Sequence, residues 1–301
     1  MPVHKPLLGI ALMVLSCAVL ATKDGLAKSF LDQVGPLQMI WIQYCGTFLA
    51  LALVAAPRHG WMVLRPTPLG GQFVRGALSA AAVSALYWSL SYIPLADATA
   101  MFMLAPLVVA LLSPLLLGEQ IGGARLIAVA VGFLGVLVIL KPGFGGDAAG
   151  YYIGLVAGVV MGFFYIANRR LAGAQPPLLN VAHNAAMGAL ALTPFLPFFW
   201  RTPPASVGWK LAVLLALAVV GQGLMISSFM YAPAGVIAPY TYAMLVFAAL
   251  VGYLAFGTFP DLATWIGIAL IVGAGLFIAR SSDPGRTDTR PTEDGTTAGG
   301  S

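Results

Sequence analysis

The chain has 301 residues, 60% of them hydrophobic and 8% charged, with a formal net charge of +5. A soluble domain carries about 25% charged residues, so too little polar surface is present to coat a water-soluble globule of this size. That leaves an integral membrane protein. The few basic residues fall mostly in loops, as topology signals do, and no nucleic-acid partner is expected.

A spanning helix needs about 20 mostly apolar residues. Ten such spans are legible in chain order, at 7–27, 36–56, 72–92, 96–116, 122–141, 150–169, 178–199, 209–231, 235–256 and 262–280. Backbone groups in lipid must be satisfied within the segment, so each is read as a helix. None of the runs alternates as a barrel strand would. The first run follows His4 and Lys5 in the manner of a signal peptide, but it continues as one of many similar segments and is kept as a span. Cys17 and Cys45 lie inside apolar runs without metal-ligand spacing and read as small hydrophobes.

The breaks are polar. "PRHGWMVLRPTP" parts spans 2 and 3, "KPGFGGDAAG" parts 5 and 6, "RRLAGAQPP" parts 6 and 7, and "RTPPASVGWK" parts 7 and 8. The links 3–4, 4–5, 8–9 and 9–10 are short, which predicts tight antiparallel hairpins. The tail 281–301 is polar and rich in Pro, Gly, Thr and acids, and is expected to be disordered. With the N-terminus inside, ten Lys and Arg residues fall on the inner side and five on the outer. Both termini are therefore expected in the cytoplasm.

The second half resembles the first at an offset of about 140 residues. Pro36, Leu37 and Gln43 meet Pro177, Leu178 and Asn184. Lys28 meets Arg169. Ser89, Tyr92 and Pro94 meet Ser228, Tyr231 and Pro233, and Gly118 meets Gly257. Each half holds five spans, and an odd number inverts the second half. Inverted repeats place a binding site near the membrane midplane, between the halves.

The segment "IPLADATAMFMLAPLVVALLSPLLLGEQIGGARLIAVAVGFLGVLVILKPG" (93–143) resembles the first repeat of the EamA family of the drug/metabolite transporter superfamily. "TKDGLAKSFL" (22–31) resembles that family's first helix, and "DLATWIGIALIVGAGLFIA" (261–279) its last. The resemblance implies an all-α membrane protein of ten transmembrane helices. They form two inverted EamA repeats, 1–143 and 150–280. It also implies transport of small metabolites in the bacterial inner membrane, with amino acids, nucleotide derivatives, S-adenosylmethionine, vitamins and drugs among the family's substrates. Export of neutral and aromatic amino acids is the reading favoured by this resemblance. Three positions depart from the family pattern: Gln43 where Arg is frequent, Thr258 where an acid follows the glycine, and Leu245 where Pro is frequent.

Among candidate residues, Gln43 and Asn184 are symmetry-related amides within spans 2 and 7. An amide can hold a zwitterion without net charge; the alternative is interhelical glue. His183 adjoins Asn184 and is either a titrating group or a packing residue. Tyr87, Trp88, Tyr165, Tyr240 and Tyr242 are candidates for an aromatic cavity lining, or are core and interface residues. Asp24 and Lys28 are spaced i, i+4 on one helix face, read as an outer vestibule pair or a snorkelling pair. Tyr92, Pro94, Asp97 and Pro106, with Tyr231, Pro233 and Pro239, are candidate gate and hinge residues. Asp97 is expected to cap the fourth helix and Pro106 to kink it. Gly150, Gly154, Gly158 and Gly162 make a close-packing ridge.

No carboxylate is placed mid-span, which favours a facilitator over a proton-coupled carrier, the alternative. No H-E-x-x-H, G-x-S-x-G or phosphate-cradling loop is present, so an enzyme and an ATP-driven pump are not expected. Nor is a cofactor or a metal. Expected partners are a small-molecule substrate and the lipid bilayer, and the expected state is a monomer or weak dimer.

Overall fold

The computed structural model describes residues 5–117, 123–140, 148–171 and 173–281. Among these the chain is helical, with no strand. The first half runs through α1 (Pro6–Lys28), α2 (Leu31–Val34), α3 (Pro36–His59) with a 3₁₀ extension (Gly60–Leu64), α4 (Leu69–Leu90), α5 (Leu95–Phe102), α6 (Ala105–Leu117) and α7 (Gly123–Leu140). The second half begins with α8 (Ala148–Arg170), α9 (Pro177–Leu192), a 3₁₀ turn (Thr193–Phe195) and α10 (Leu196–Phe199). It continues through a 3₁₀ turn (Ala205–Val207), α11 (Gly208–Tyr231), α12 (Ala234–Ile237), a 3₁₀ segment (Ala238–Tyr242), α13 (Ala243–Phe256) and α14 (Leu262–Ser281).

Seven helical stretches are long and apolar enough to cross a membrane, and Leu126–Leu140 and Leu262–Ile278 are shorter apolar helices. The expected span 178–199 is instead interrupted. Pro194 and Pro197 each lack an N–H and crowd the carbonyl four residues back, so α9 gives way to a 3₁₀ turn and then to the short α10. The expected span 96–116 is broken in the same way. Pro106 cannot bond to Phe102, so α5 stops there, two turn residues follow, and α6 starts at Ala105. A further break falls at Pro239, inside the 3₁₀ segment between α12 and α13. Gly118, Glu119 and the tail 282–301 lie outside the described residues.

The main helix pairs are α4 with α8 and α9, α1 with α11 and α13, α7 with α14, α3 with α9, α6 and α5 with α8, and α5 with α13. Small residues permit the closest of these. A methyl added at Gly158 of α8 would stand 2.3 Å from the Met101 carbonyl oxygen of α5. The expected glycine ridge of α8 is therefore a helix–helix seam. The bundle has two ends. At one, Lys28 donates to the Ile93 carbonyl at 2.7 Å and to that of Leu90, at the end of α4. At the other, the Lys5 N–H donates to the Tyr231 carbonyl at the end of α11. These are called the Lys28 end and the Lys5 end.

Candidate functional site

The interior of the bundle is not uniformly apolar. Near the Lys28 end, α1 turns Asp24 and Lys23 inward, 5% and 6% exposed. Their side chains form an ion pair at 2.8 Å. The Tyr87 hydroxyl of α4 faces two acceptors, the Asp24 carboxylate at 2.9 Å and the Gln43 amide oxygen of α3 at 3.3 Å. The Lys23 ammonium lies 5.4 Å from the centre of the Tyr87 ring, a cation–π contact. The expected Asp24–Lys28 surface pair is therefore corrected. A helix spacing of four puts two residues on one face, but here the carboxylate prefers the adjacent ammonium inside the bundle, and Lys28 instead secures the turn after α4. Asp24 lies near the end of α1, not mid-span, but it faces the bundle interior.

Deeper in, α3, α4 and α9 share a second cluster. The Tyr44 and Ser79 hydroxyls are 2.7 Å apart, and the Asn184 amide donates to Ser79 at 3.1 Å. Gln43 and Asn184 thus belong to separate networks, one joined through Tyr87 and the other through Ser79. The Asn184 carbonyl oxygen is buried without a partner. An unbonded buried amide oxygen costs roughly 1–3 kcal/mol.

Toward the Lys5 end stands Arg75 of α4, 1% exposed. Sequence reading counted it among the inner-side basic residues that set topology; it is instead a core residue. It donates to the side-chain oxygens of Asn168 of α8, at 3.1 Å, and Asn180 of α9, and to the Asn180 backbone carbonyl at 2.6 Å. His183 is buried nearby and packs between Gln175 and the Val63 carbonyl, the latter at 2.9 Å. This pins the 3₁₀ extension of α3 to α9, so its geometry is that of a packing residue.

Asp97 does not cap α5, correcting the expectation. The helix begins one turn earlier than a capping aspartate at 97 requires, with Pro94 at its N-cap. The Asp97 carboxylate is 4% exposed and accepts from the Tyr151 hydroxyl of α8 at 2.6 Å and the Thr264 hydroxyl of α14 at 3.2 Å. It therefore ties together three helices from both halves. The real capping aspartate is Asp261, which accepts from the Thr264 N–H at 2.9 Å and starts α14.

The aromatic candidates do not assemble into one lining. Tyr87 is fully buried, while Trp88 and Tyr240 are 42% and 40% exposed. Trp88 faces a cleft of about 300 Å³ at the Lys28 end, between α2, α3 and α10, which also holds Gln38, Trp200 and Arg201. Tyr165 sits at the surface of α8. Tyr242 is buried, and its hydroxyl fills the space where a side chain at Gly275 of α14 would stand. Tyr92 is exposed at the turn before Pro94, and Tyr231 closes α11 before Pro233. Tyr44, Arg75, Ser79, Asn168, Asn180, Tyr151 and Thr264 were not singled out in the sequence as site residues. The available signal was their spacing: Arg75 and Ser79 on α4, and Asn180 and Asn184 on α9, recur at i, i+4 within apolar helices.

A removed amide should be felt in transport. Gln43→Ala and Asn184→Ala are each expected to slow transport several-fold, in line with about 1 kcal/mol for one hydrogen bond, while the purified proteins remain folded and monodisperse. Wild-type transport rates in both variants would reduce the two amides to packing.

This arrangement of polar groups inside an apolar helical bundle suits passage of a polar solute rather than covalent chemistry, and comparison with known proteins agrees. The chain is similar to the S-adenosylmethionine uptake transporter of Rickettsia felis, 26% identical over 278 residues, covering 91% of this chain and 93% of that protein. It is also similar to the pseudopaline exporter CntI of Pseudomonas aeruginosa, 28% identical over 279 residues, covering 91% and 96%. One crystal structure shares the fold with a TM-score of 0.61 at 23% identity, covering 92% of this chain and 98% of that one. The EamA-like transporter family matches residues 7–141 and again 148–280, and the chain belongs to that family of multi-pass membrane transporters.

Proposed function

We propose that the protein moves small polar metabolites across the bacterial inner membrane by alternating access between two inverted five-helix halves, 1–143 and 150–280. Both termini are read as cytoplasmic, and neutral and aromatic amino acids are the first substrate class, in the direction of export. The observation that carries alternating access is the symmetry of the helix pairing. Replace each helix by its counterpart about 140 residues on, or back. The pair α4·α8 becomes α11·α1, and α6·α8 becomes α13·α1, while α3·α9 and α7·α14 return to themselves. A bundle with exchangeable pairings has two equivalent packings, which is what switching between two access states requires.

The gate reading gains support from α1. Its two ends hold the two counterpart turns, Lys28 bonding the turn before Pro94 and Lys5 the turn before Pro233. The helices after those turns break near Pro106 and Pro239, where hinges would act. A cysteine pair at Ser29→Cys and Tyr92→Cys, bridged by a short reagent that a reductant can cleave, is expected to stop transport, with reduction restoring it. Full transport with the bridge in place would exclude a gate at this turn.

Proteoliposomes loaded with unlabelled amino acids should show counterflow of the labelled one with no pH or ion gradient imposed. Absence of counterflow for amino acids, with counterflow for a nucleotide derivative or vitamin, would move the substrate class and leave the carrier. A second reading, proton coupling, is favoured by one observation. Asp24 and Asp97 are both buried within the bundle, where carboxylates mark proton and ion pathways. Accumulation that appears only with a proton gradient would select it.

A further inference from the structure

We propose that Arg75 is an anion-binding residue of the transport pathway, and that the transported solute carries a carboxylate beside an N–H donor. The inference rests on the transporter reading and narrows its substrate class. Arg75 lies six residues into α4, about 9 Å along its axis. Its guanidinium is fully buried. Among the described residues every acceptor around it is neutral: two asparagine side chains and one backbone carbonyl. Its Nε–H has no partner, and among the described residues no carboxylate forms an ion pair with it.

A buried cation held only by neutral carbonyls is an uncompensated charge, and burial of such a charge costs several kcal/mol. A helix clamp does not require that charge, since a neutral amide would bond the same oxygens. A guanidinium is instead the side chain whose planar fork matches a carboxylate with two parallel hydrogen bonds. The Asn168 and Asn180 side chains then act as stand-ins that hold the fork while the site is empty.

The second, independent observation lies one helical turn away. Asn184 follows Asn180 on the same face of α9, and its buried carbonyl oxygen has no partner. Its amide is turned away to Ser79, one turn from Arg75 on α4. The seam between α4 and α9 therefore offers a positive fork next to an unfilled acceptor. A carboxylate on the first and an ammonium or amide N–H on the second satisfies both. A cation without a carboxylate would face Arg75 with like charge.

The test uses the full chain purified in detergent and paired probes that differ only in the acid group: L-tryptophan with L-tryptophanamide, succinate with succinamide, and benzoate with benzamide. At millimolar concentration at least one acid should raise the melting temperature of the wild type, while its amide does not. Arg75→Gln should erase the difference and Arg75→Lys should keep part of it. Asn180→Ala removes a competing internal acceptor, and should tighten acid binding about fivefold, the worth of one hydrogen bond. Equal shifts for acids and amides, no shift with any acid, or weaker acid binding in Asn180→Ala would overturn the proposal and leave Arg75 a clamp. Should Arg75→Gln fail to fold, the wild-type acid–amide contrast and the direction of the Asn180→Ala effect still decide. Acid binding without counterflow in proteoliposomes would count against the transporter reading, not against the site.

Discussion

Gly76→Val is expected to abolish recovery of folded protein. Gly76 marks the crossing of α4 and α9. A Cβ there would stand 2.5 Å from the Met187 Cβ and 2.7 Å from the Gly188 backbone nitrogen. Neither obstacle is the free end of a flexible side chain. The opposite side of the crossing is equally full, because a Cβ at Gly188 would meet the Tyr44 ring at 2.2 Å. Overpacking a tight core costs about 1–3 kcal/mol even where the neighbours can give. Here the only relief is to part the helices, which stretches the Arg75–Asn180 and Ser79–Asn184 bonds on either side. Size-exclusion profiles and melting temperatures after detergent extraction read the effect. Gly70→Val, on the same helix with nothing within 4 Å of the added Cβ, should behave as wild type. A monodisperse Gly76→Val protein with an unchanged melting temperature would show that α4 and α9 do not cross there.

The apolar helices and two of their interruptions were legible in the sequence because they depend on local chemistry, whereas the break of α9 at Pro194 and Pro197 went unread. Apolar length marked the spans, and Pro106 and Pro239 marked two breaks within two or three residues. The site was much less legible, for a physical reason. In a soluble helix the polar face marks the outside, but α1, α4 and α9 are apolar nearly all round, so periodicity does not say which face is inside. Asp24 was placed at the right height and the wrong azimuth. Arg75 was taken for a topology signal, because a cation near a helix end and a cation inside a bundle look alike along the chain. Asp97 was given a local role, the N-cap, since its true partners Tyr151 and Thr264 lie 54 and 167 residues away. Local rules cannot supply such partners. What sequence could have supplied is the pattern of polar residues one turn apart within apolar helices, which links Arg75 to Ser79 and Asn180 to Asn184.

Asp24→Ala is expected to abolish transport and to destabilise the protein strongly, with a different cause for each loss. The stability loss arises from Lys23. With its partner 2.8 Å away removed, the ammonium is left buried at 6% exposure, and breaking a buried pair from one side costs about 3–5 kcal/mol. Removing both members is far milder, since no orphaned charge remains. The double variant Lys23→Ala with Asp24→Ala should therefore recover most of the melting temperature lost by the single one. Transport should not recover with it, because the Tyr87 hydroxyl keeps only the more distant Gln43 oxygen as an acceptor. Asp24→Asn separates charge from shape. It retains an acceptor for Tyr87 but cannot exchange a proton. If the carrier is a facilitator, Asp24→Asn keeps counterflow and shows no change in its response to an imposed pH gradient. If Asp24 carries the coupling proton, counterflow survives and gradient-driven accumulation is lost. Recovery of both stability and full transport in the double variant would assign the Lys23–Asp24 pair to the scaffold and remove Tyr87 and Gln43 from the pathway with it.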